Sequence, residues 1–330
     1  MRRIDTSAPT RIDLAGGTID IWPLYLFHRG AQTLNAAISI RARARIEERD
    51  DSRIVIRSID TGATVEADHW SELKDQRQLR LLSLLVHFFE VPGITLTTDS
   101  DSPAGAGIAG SSALNVAVCA ALADWKRVHY EPEALLHIAQ NVEAQTISVP
   151  TGLQDYRPAL YGGIAAVELD VDGVRRIPLD VDASELERRL VLCYTGEPRN
   201  SGTNNWEITK RHIDGDPHVF QSFERIRDTA LVMRQALTRG DWDGVGRAIA
   251  DEWANRKRLA PGVTTAAIDN LIERAHGAGA TAAKVCGAGG GGCLLCYGPP
   301  AANAAIREAL TAGGARVLDY RIERHGLARG

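Results

Sequence analysis

Aromatic residues are scarce, 5% of 330 positions, and no apolar run approaches the roughly 18 residues that a membrane-spanning helix needs. The start, Met1-Arg-Arg-Ile-Asp-Thr-Ser, has charges but no apolar stretch behind them. No secretory signal is read there, and a cytoplasmic protein with no membrane partner is expected. Cysteine is also sparse. Five residues, an odd number, fit a reducing compartment better than a disulfide framework. Cys293 and Cys296 form a CxxC, but inside Cys293-Leu-Leu-Cys-Tyr297, a strand by composition. Strand alternation sends residues three apart to opposite faces, so zinc or redox chemistry is not expected of them. Excess positive charge is missing as well. With 38 Lys and Arg against 42 Asp and Glu, the formal net charge is −4, which argues against non-specific nucleic-acid binding but allows a local basic pocket. No internal repeat and no low-complexity linker interrupts the chain.

What remains, 44% hydrophobic and 24% charged residues, describes a globular α/β or α+β protein with core enough for one large or two ordinary domains. The stretch from Asp99 to Trp125 stands out. Ile94-Thr-Leu-Thr-Thr98 has the β-branched content of a strand, and Ala113 to Trp125 is apolar and helix-compatible. Between them, Pro103-Ala-Gly105-Ala-Gly107-Ile-Ala-Gly110-Ser111-Ser112 places three glycines within six residues. Glycine tolerates φ > 0, so successive N–H groups can face one anion, and a following helix adds free N–H groups and the positive end of its dipole. Ser111 and Ser112 supply hydroxyls for a phosphate or its metal. Glycine-rich turns also precede buried helices without binding anything, and the loop alone does not separate that reading from a triphosphate cradle. Gly105-x-Gly107-x-x-Gly110 matches the dinucleotide fingerprint in letters only. Its first glycine does not directly follow a strand, and Glu133 to Thr146 reads as a helix where a second parallel strand is required. A Walker loop fails because no lysine follows the last glycine.

Around this stretch, Arg11, Asp13, Thr18 and Asp20 crowd a Gly16-Gly17 turn, either as solvated loop charges or as a site. Ile38 to Ile46 alternates apolar residues with arginine, a half-exposed strand. Arg53 to Arg57 is another strand and Leu79 to Phe89 a helix. Pro132, with Glu131 and Glu133 at the positive end, starts a helix that turns Glu143 to the inward side shared by Leu136 and Ala139, as a rim residue or a metal ligand. Ile164 to Val171 and Val174 to Ile177 make a hairpin about Asp172-Gly173. Val181 to Glu187 reads as a boundary segment, and Arg189 to Tyr194 begins a second set of elements. The loop from Thr195 to Gly202 has anion-binding chemistry. Val219, Phe223, Ile226, Ala230, Met233 and Leu237 mark a long amphipathic helix. The run Arg256-Lys257-Arg258 reads as a solvated face. Five glycines in Gly287-Ala-Gly-Gly-Gly-Gly292 cost chain entropy and imply close backbone approach to another group.

Three of these segments together resemble the motifs of the GHMP family of small-molecule kinases, named for galactokinase, homoserine, mevalonate and phosphomevalonate kinases. Ala8 to Asp20 resembles the first motif, Pro103 to Ala113 the phosphate-binding second and Gly287 to Gly292 the third, in the family's order. Within the family, Arg11-Ile-Asp-Leu-Ala-Gly-Gly17 with Asp20, Leu34-Asn35-Ala-Ala-Ile38, Gln154-Asp155, and Tyr194-Thr-Gly196 with Arg199 and Ser201 are similar to members that phosphorylate the anomeric hydroxyl of heptose 7-phosphates and L-fucose. The resemblance implies an α+β fold of two domains, residues 1–186 like ribosomal protein S5 domain 2 and residues 187–330 ferredoxin-like. ATP and substrate would meet between them. It implies ATP- and Mg²⁺-dependent transfer to a sugar hydroxyl at C1, by a monomer or homodimer whose partner is a small sugar or sugar phosphate. Galactokinase- or mevalonate kinase-like activity, or a non-catalytic sensor, stand as alternatives.

Carried over by position, Asp155 matches the catalytic base and Arg11 the basic residue that assists it; a nearby cation would keep the carboxylate ionised and help stabilise charge in transfer. Ser112 and Glu143 would hold Mg²⁺, which prefers hard oxygens and keeps several waters. Pro103, Gly105, Ala106, Gly107, Ile108, Ala109, Gly110, Ser111 and Ser112 would wrap the ATP phosphates. Thr18, Asp20, Asn35, Gly152, Tyr156, Arg199, Gly289 and Gly290 would face the sugar. A substrate already carrying phosphate would need basic residues, for which Arg157, Arg199, Arg256 and Lys257 are candidates. Thr18-Ile19 and Tyr156 depart from the family's usual residues at expected sugar contacts, and so bear on which sugar is taken.

Overall fold

A computed structural model describes residues 2–198 and 201–330, with side chains described from residue 205 onward in the helix that begins at Ser201. The chain opens with β1 (Arg3–Ala15), β2 (Gln32–Glu48), β3 (Ile54–Ser58), β4 (Ala63–Ala67), α1 (Arg80–Phe89), β5 (Ile94–Ser100), α2 (Gly110–Lys126) and α3 (Pro132–Ile147). Next come α4 (Tyr156–Tyr161), β6 (Ile164–Asp170), β7 (Gly173–Pro178), α5 (Ala183–Arg189), β8 (Leu190–Tyr194) and α6 (Ser201–Ile213). The remainder is α7 (Pro217–Arg239), α8 (Trp242–Arg256), α9 (Ala266–Gly277), β9 (Ala282–Val285), β10 (Cys293–Tyr297), α10 (Asn303–Ala312), β11 (Arg316–Leu318) and β12 (Ala328–Arg329).

β2 organises the first sheet. Period-2 alternation buries its Ala42, Ala44 and Ile46 and turns Arg43 and Arg45 outward,. One edge pairs with β1; the other pairs with β5 from Ala42 to Glu48 and with β6 from Gln32 to Ala36. The resulting eight-stranded sheet has the order β12-β1-β2-β5-β3-β4, with β6 and β7 branching from β2. On its inner face α2 is buried from Ser112 to Ala123 apart from Leu114. Its many alanines let it lie close to β1 and β2, with α1 and α3 alongside in the same core.

The second sheet is antiparallel, in the order β11-β8-β10-β9. Counted along the chain that is fourth, first, third, second, which with the helical crossovers is the ferredoxin-like arrangement. The boundary segment carries α5, capped by Asp182, whose carboxylate accepts from the N–H groups of Ser184 and Glu185,. The predicted stripe of α7 is buried throughout. Cys293 and Cys296 enter separate core clusters on opposite faces of β10, as alternation requires, and all five cysteines are buried. The chain then returns, and β12 pairs with β1 at Thr6 and Ser7 to complete the first sheet. Among the described residues no helix is long and apolar enough to cross a membrane.

Candidate active site

The loop between β5 and α2 turns by positive φ at Gly105, Gly107 and Ala109, with φ of 66°, 77° and 64°. Its carbonyls are held on the β1 side. Gly107 O accepts from Arg11 NH1 at 2.8 Å, and Ile108 O accepts from the Arg11 backbone N–H at 3.0 Å. In a trans peptide the N–H points opposite the carbonyl, so the N–H groups of Ile108 and Ala109 are turned away from β1. The first turn of α2 adds N–H groups that have no intrahelical acceptor. The second glycine loop lies directly behind. A Cβ on Gly292 (φ +83°) would stand 2.7 Å from Ala106 O and 2.9 Å from Gly105 O, and the Cys293 N–H donates to Ala106 O at 2.7 Å. Two glycine-rich segments far apart in sequence therefore meet.

A cavity of about 320 Å³ opens on this loop, lined by Pro103, Gly105, Ala106, Gly107, Ala109, Gly110, Ser111 and Ser112 together with Glu143 and Asp155. Ile108 instead buries its side chain in the core and anchors the loop. Ser111 and Ser112 donate to the two oxygens of Glu143 at 2.9 and 3.1 Å, and the Tyr156 hydroxyl donates to Glu143 Oε2 at 2.7 Å. Burial raises Glu143 above the ordinary carboxyl range, although its three hydroxyl donors work against the shift.

A second, smaller cavity of about 40 Å³ adjoins the first and is lined by Arg11, Thr18, Asp20, Gln154 and Gly287 among others. Gly152, Asp155 and Asn205 line both. Arg11 is 1% exposed and donates from Nε and NH2 to Asp155 Oδ1 at 3.0 and 2.6 Å. Burial opposes the Arg11 charge, but Asp155 and Asp13 more than offset it. Asp20 Oδ2 accepts from the Gln154 N–H at 2.9 Å. Burial, reinforced by the nearby Asp155, pushes Asp20 up to about 6. A Cβ on Gly152 would overlap the Asp20 carboxylate, so the glycine makes room for it.

Beneath the smaller cavity lie four charged side chains with no more than 1% exposure: Asp13, Glu252, Arg256 and Lys284. Arg256 contacts Asp13 Oδ2 at 3.1 Å and pairs with Glu252. Lys284 stands 3.3 Å from both Asp13 Oδ1 and Glu252 Oε2. Arg256 NH1 also donates to Gly287 O at 2.5 Å, which ties the second glycine loop to β1. Gly17 has no side chain because a Cβ there would meet both Asp13 and Arg256. Burial would raise Asp13, but Lys284, Arg256 and Arg11 hold it below the ordinary carboxylate range. This corrects the reading of Arg256 as part of a solvated face. Only its neighbours Lys257 and Arg258 are exposed.

The other expected sugar contacts scatter. Thr18, Asp20 and Gly152 line the smaller cavity. Asn35 is buried with its Nδ2 donating to Thr33, and it lines neither cavity. Tyr156 is buried, with its hydroxyl turned to Glu143. Gly289 and Gly290 pack against Val263, and Gly287 and Ala288 reach the cavity in their place. Arg199 lies outside the described residues. Of the residues considered for a substrate phosphate, Arg157 is buried in an ion pair with Glu133 and Arg256 sits in the quartet. Glu252, Lys284 and Asn205 were not expected at the site, and Gln154 was quoted beside Asp155 without a role of its own. Lys284 had a signal, as the one charge in the apolar strand Ala282 to Cys286, and Glu252 had its i,i+4 spacing to Arg256.

A glycine loop at a helix start, a second loop packed behind it and a carboxylate that lines two adjoining cavities fit one class, an ATP-dependent small-molecule kinase. The family model described as GHMP kinases N terminal domain matches residues 77–163, and that described as GHMP kinases C terminal matches 233–316. The chain is 29% identical over 338 residues to the D-glycero-alpha-D-manno-heptose 7-phosphate kinase of Campylobacter jejuni, covering 99% of this chain and 98% of that protein. It is 26% identical to the bifunctional fucokinase/GDP-fucose pyrophosphorylase of Arabidopsis thaliana, over 89% of this chain and 30% of that one. Among solved structures, a D-glycero-D-manno-heptose 1-phosphate kinase from Bacteroides thetaiotaomicron superposes with a TM-score of 0.79 at 25% identity, covering 99% and 98% of the two chains. The chain belongs to the GHMP kinase family.

Proposed function

We propose that this kinase transfers the γ-phosphoryl group of ATP to the anomeric C1 hydroxyl of a heptose 7-phosphate or fucose-like sugar in the cytoplasm. The substrate class rests on the full-length likeness to a heptose 7-phosphate kinase. The chemistry rests on one observation, the Asp155 carboxylate lining both cavities with Arg11 bonded to it. In this reading Asp155 takes the proton of the attacking hydroxyl, while Arg11 holds the carboxylate and the phosphate loop in one register. Thr18, Asp20 and Gly152 orient the sugar. Phosphoryl transfer asks for positioning and charge neutralisation more than for covalent chemistry, and these groups supply the positioning.

The donor set beside the loop fits Mg²⁺: a buried carboxylate, Glu143, already gathers the hydroxyls of Ser111 and Ser112, all hard oxygens. Glu143 and Ser112 would hold the ion, which when bound neutralises phosphate charge. Residues 1–186 then act as the nucleotide-binding domain, with 187–330 closing the cleft through the Gly287 loop. Measuring ADP release across aldoses, their phosphates, galactose and mevalonate, with ³¹P NMR of the product, tests the reading. It expects an anomeric phosphate; release only with a non-sugar alcohol, or with none, would reject it.

A further inference from the structure

Two residues that line the smaller cavity carry a buried side-chain oxygen with no partner among the described residues. Gln154 Oε1 and Asn205 Oδ1 are enclosed and accept no hydrogen bond, and both residues line the cavity beside Asp155. Buried polar atoms are nearly always paired, and an orphan asks for an explanation. The two carboxylates of the wall have the same bias, and Thr18 adds a hydroxyl that can donate or accept,. Asp20 and Asp155, when ionised, can only accept. Among the described lining residues the one cation is Arg11, already bonded to Asp155 and to the Gly107 carbonyl. A wall of acceptors calls for a ligand that donates and carries no negative charge, which is the hydroxyl-bearing end of a polyol. Gln154 is fixed by its backbone, whose N–H serves Asp20, so its side chain is the part left for a ligand. Asn205 comes from α6, across the cleft, and lines both cavities. Terminal amide torsions are soft, so small rotations turn either oxygen to a bound hydroxyl.

From this juxtaposition we infer that Gln154 and Asn205 are specificity-determining residues whose carboxamide oxygens accept hydrogen bonds from two hydroxyls of the acceptor sugar. Asn205, which lines both cavities, takes a hydroxyl on the side of the phosphate loop, and any phosphate already on the substrate lies outside this cavity of acceptors. The inference rests on the sugar-kinase reading and says which groups read the sugar.

The test pairs side-chain deletion with substrate deletion. Wild type, Asn205→Leu and Gln154→Met are assayed with D-glycero-D-manno-heptose 7-phosphate, L-fucose, D-mannose and D-galactose, then with monodeoxy derivatives of the best of these. Asn205→Ser and Gln154→Ala run alongside, so that a folding failure of one variant leaves the other to decide. Each variant is expected to lower kcat/KM on the parent sugar by about 5- to 150-fold, the worth of one unpaired buried acceptor, and the Gln154 variants, which lie outside the larger cavity, should leave the KM for ATP unchanged. On the deoxy sugar that lacks the contacted hydroxyl, the variant should lose nothing further, whereas wild type should drop by a similar factor. Side-chain and hydroxyl deletions that multiply for every derivative, or variants with wild-type kcat/KM, would overturn the inference while leaving the kinase reading intact. If wild type releases ADP with none of the four sugars, the sugar-kinase reading fails and takes the inference with it.

Discussion

Arg256→Leu removes one of two cations from a cluster that holds two carboxylates and is at most 1% exposed. The formal charges of Asp13, Glu252, Arg256 and Lys284 sum to zero; without Arg256, two carboxylates share one ammonium. Removing one partner of a buried pair costs about 3–5 kcal/mol, and the Gly287 carbonyl loses its donor for about 1 kcal/mol more. At roughly 2 °C per kcal/mol for a long chain, Tm should fall by about 8–12 °C. Glu252→Leu in the same chain leaves Asp13 facing Lys284, one charge of each sign. The double variant should therefore melt above Arg256→Leu, because the two deletions are not additive. Thermal melts followed by far-UV circular dichroism at neutral pH read both effects. A single variant that melts with wild type, or a double variant that loses a second full increment, would refute the charge-balance reasoning.

Asp20, raised to about 6 from an ordinary 3.8 by burial and by Asp155, binds its proton more tightly folded than unfolded. Its stabilising contribution is complete below the ordinary value and is lost as pH rises through about 6, a difference of up to about 3 kcal/mol. Asp20→Asn still offers an oxygen to the Gln154 N–H, so its Tm relative to wild type should rise between about pH 4 and pH 7; a constant offset across that range would contradict the assignment. Gly292→Ala places a Cβ 2.7 Å from Ala106 O at φ +83°. It should lower stability by about 1–3 kcal/mol and kcat/KM by on the order of 10²-fold through displacement of the phosphate loop, as seen in melts and steady-state kinetics. Glu143→Gln should raise the half-saturating Mg²⁺ concentration by at least about tenfold. Because burial already penalises this carboxylate, the metal-free variant should melt no lower than wild type.

Much of the scaffold could be read from spacing. The strand at Ile94 followed from its β-branched content, the buried helix after Ser112 from an apolar, helix-compatible run, and the stripe of α7 from its three-and-four period. The Gly105 loop was visible as an anion cradle and the Gly287 loop as a cost in chain entropy, and the close approach of Gly292 to Ala106 gives a reason for the second. The charge cluster was not legible. Arg256 sits in a run of three basic residues, and successive helical positions differ by about 100°, so one of the three can point inward while its neighbours stay in water. Lys284 bonds the Asp13 carbonyl across 271 positions, a pairing that no local pattern encodes. Asn205 carried no signal either, and Gln154 was marked only as the neighbour of Asp155 in the motif; the unpaired state of their oxygens is what singles out their side chains. The return of β12 was equally silent, since a two-residue strand has no alternation to read.

The most direct test is the rate of ADP release by Asp155→Asn beside wild type on the best-accepted aldose. With Asp155 as the base between the two cavities, kcat should fall by roughly 10²–10⁴-fold while the KM for ATP stays near wild type. Turnover within about tenfold of wild type, below the worth of a general base, would contradict it.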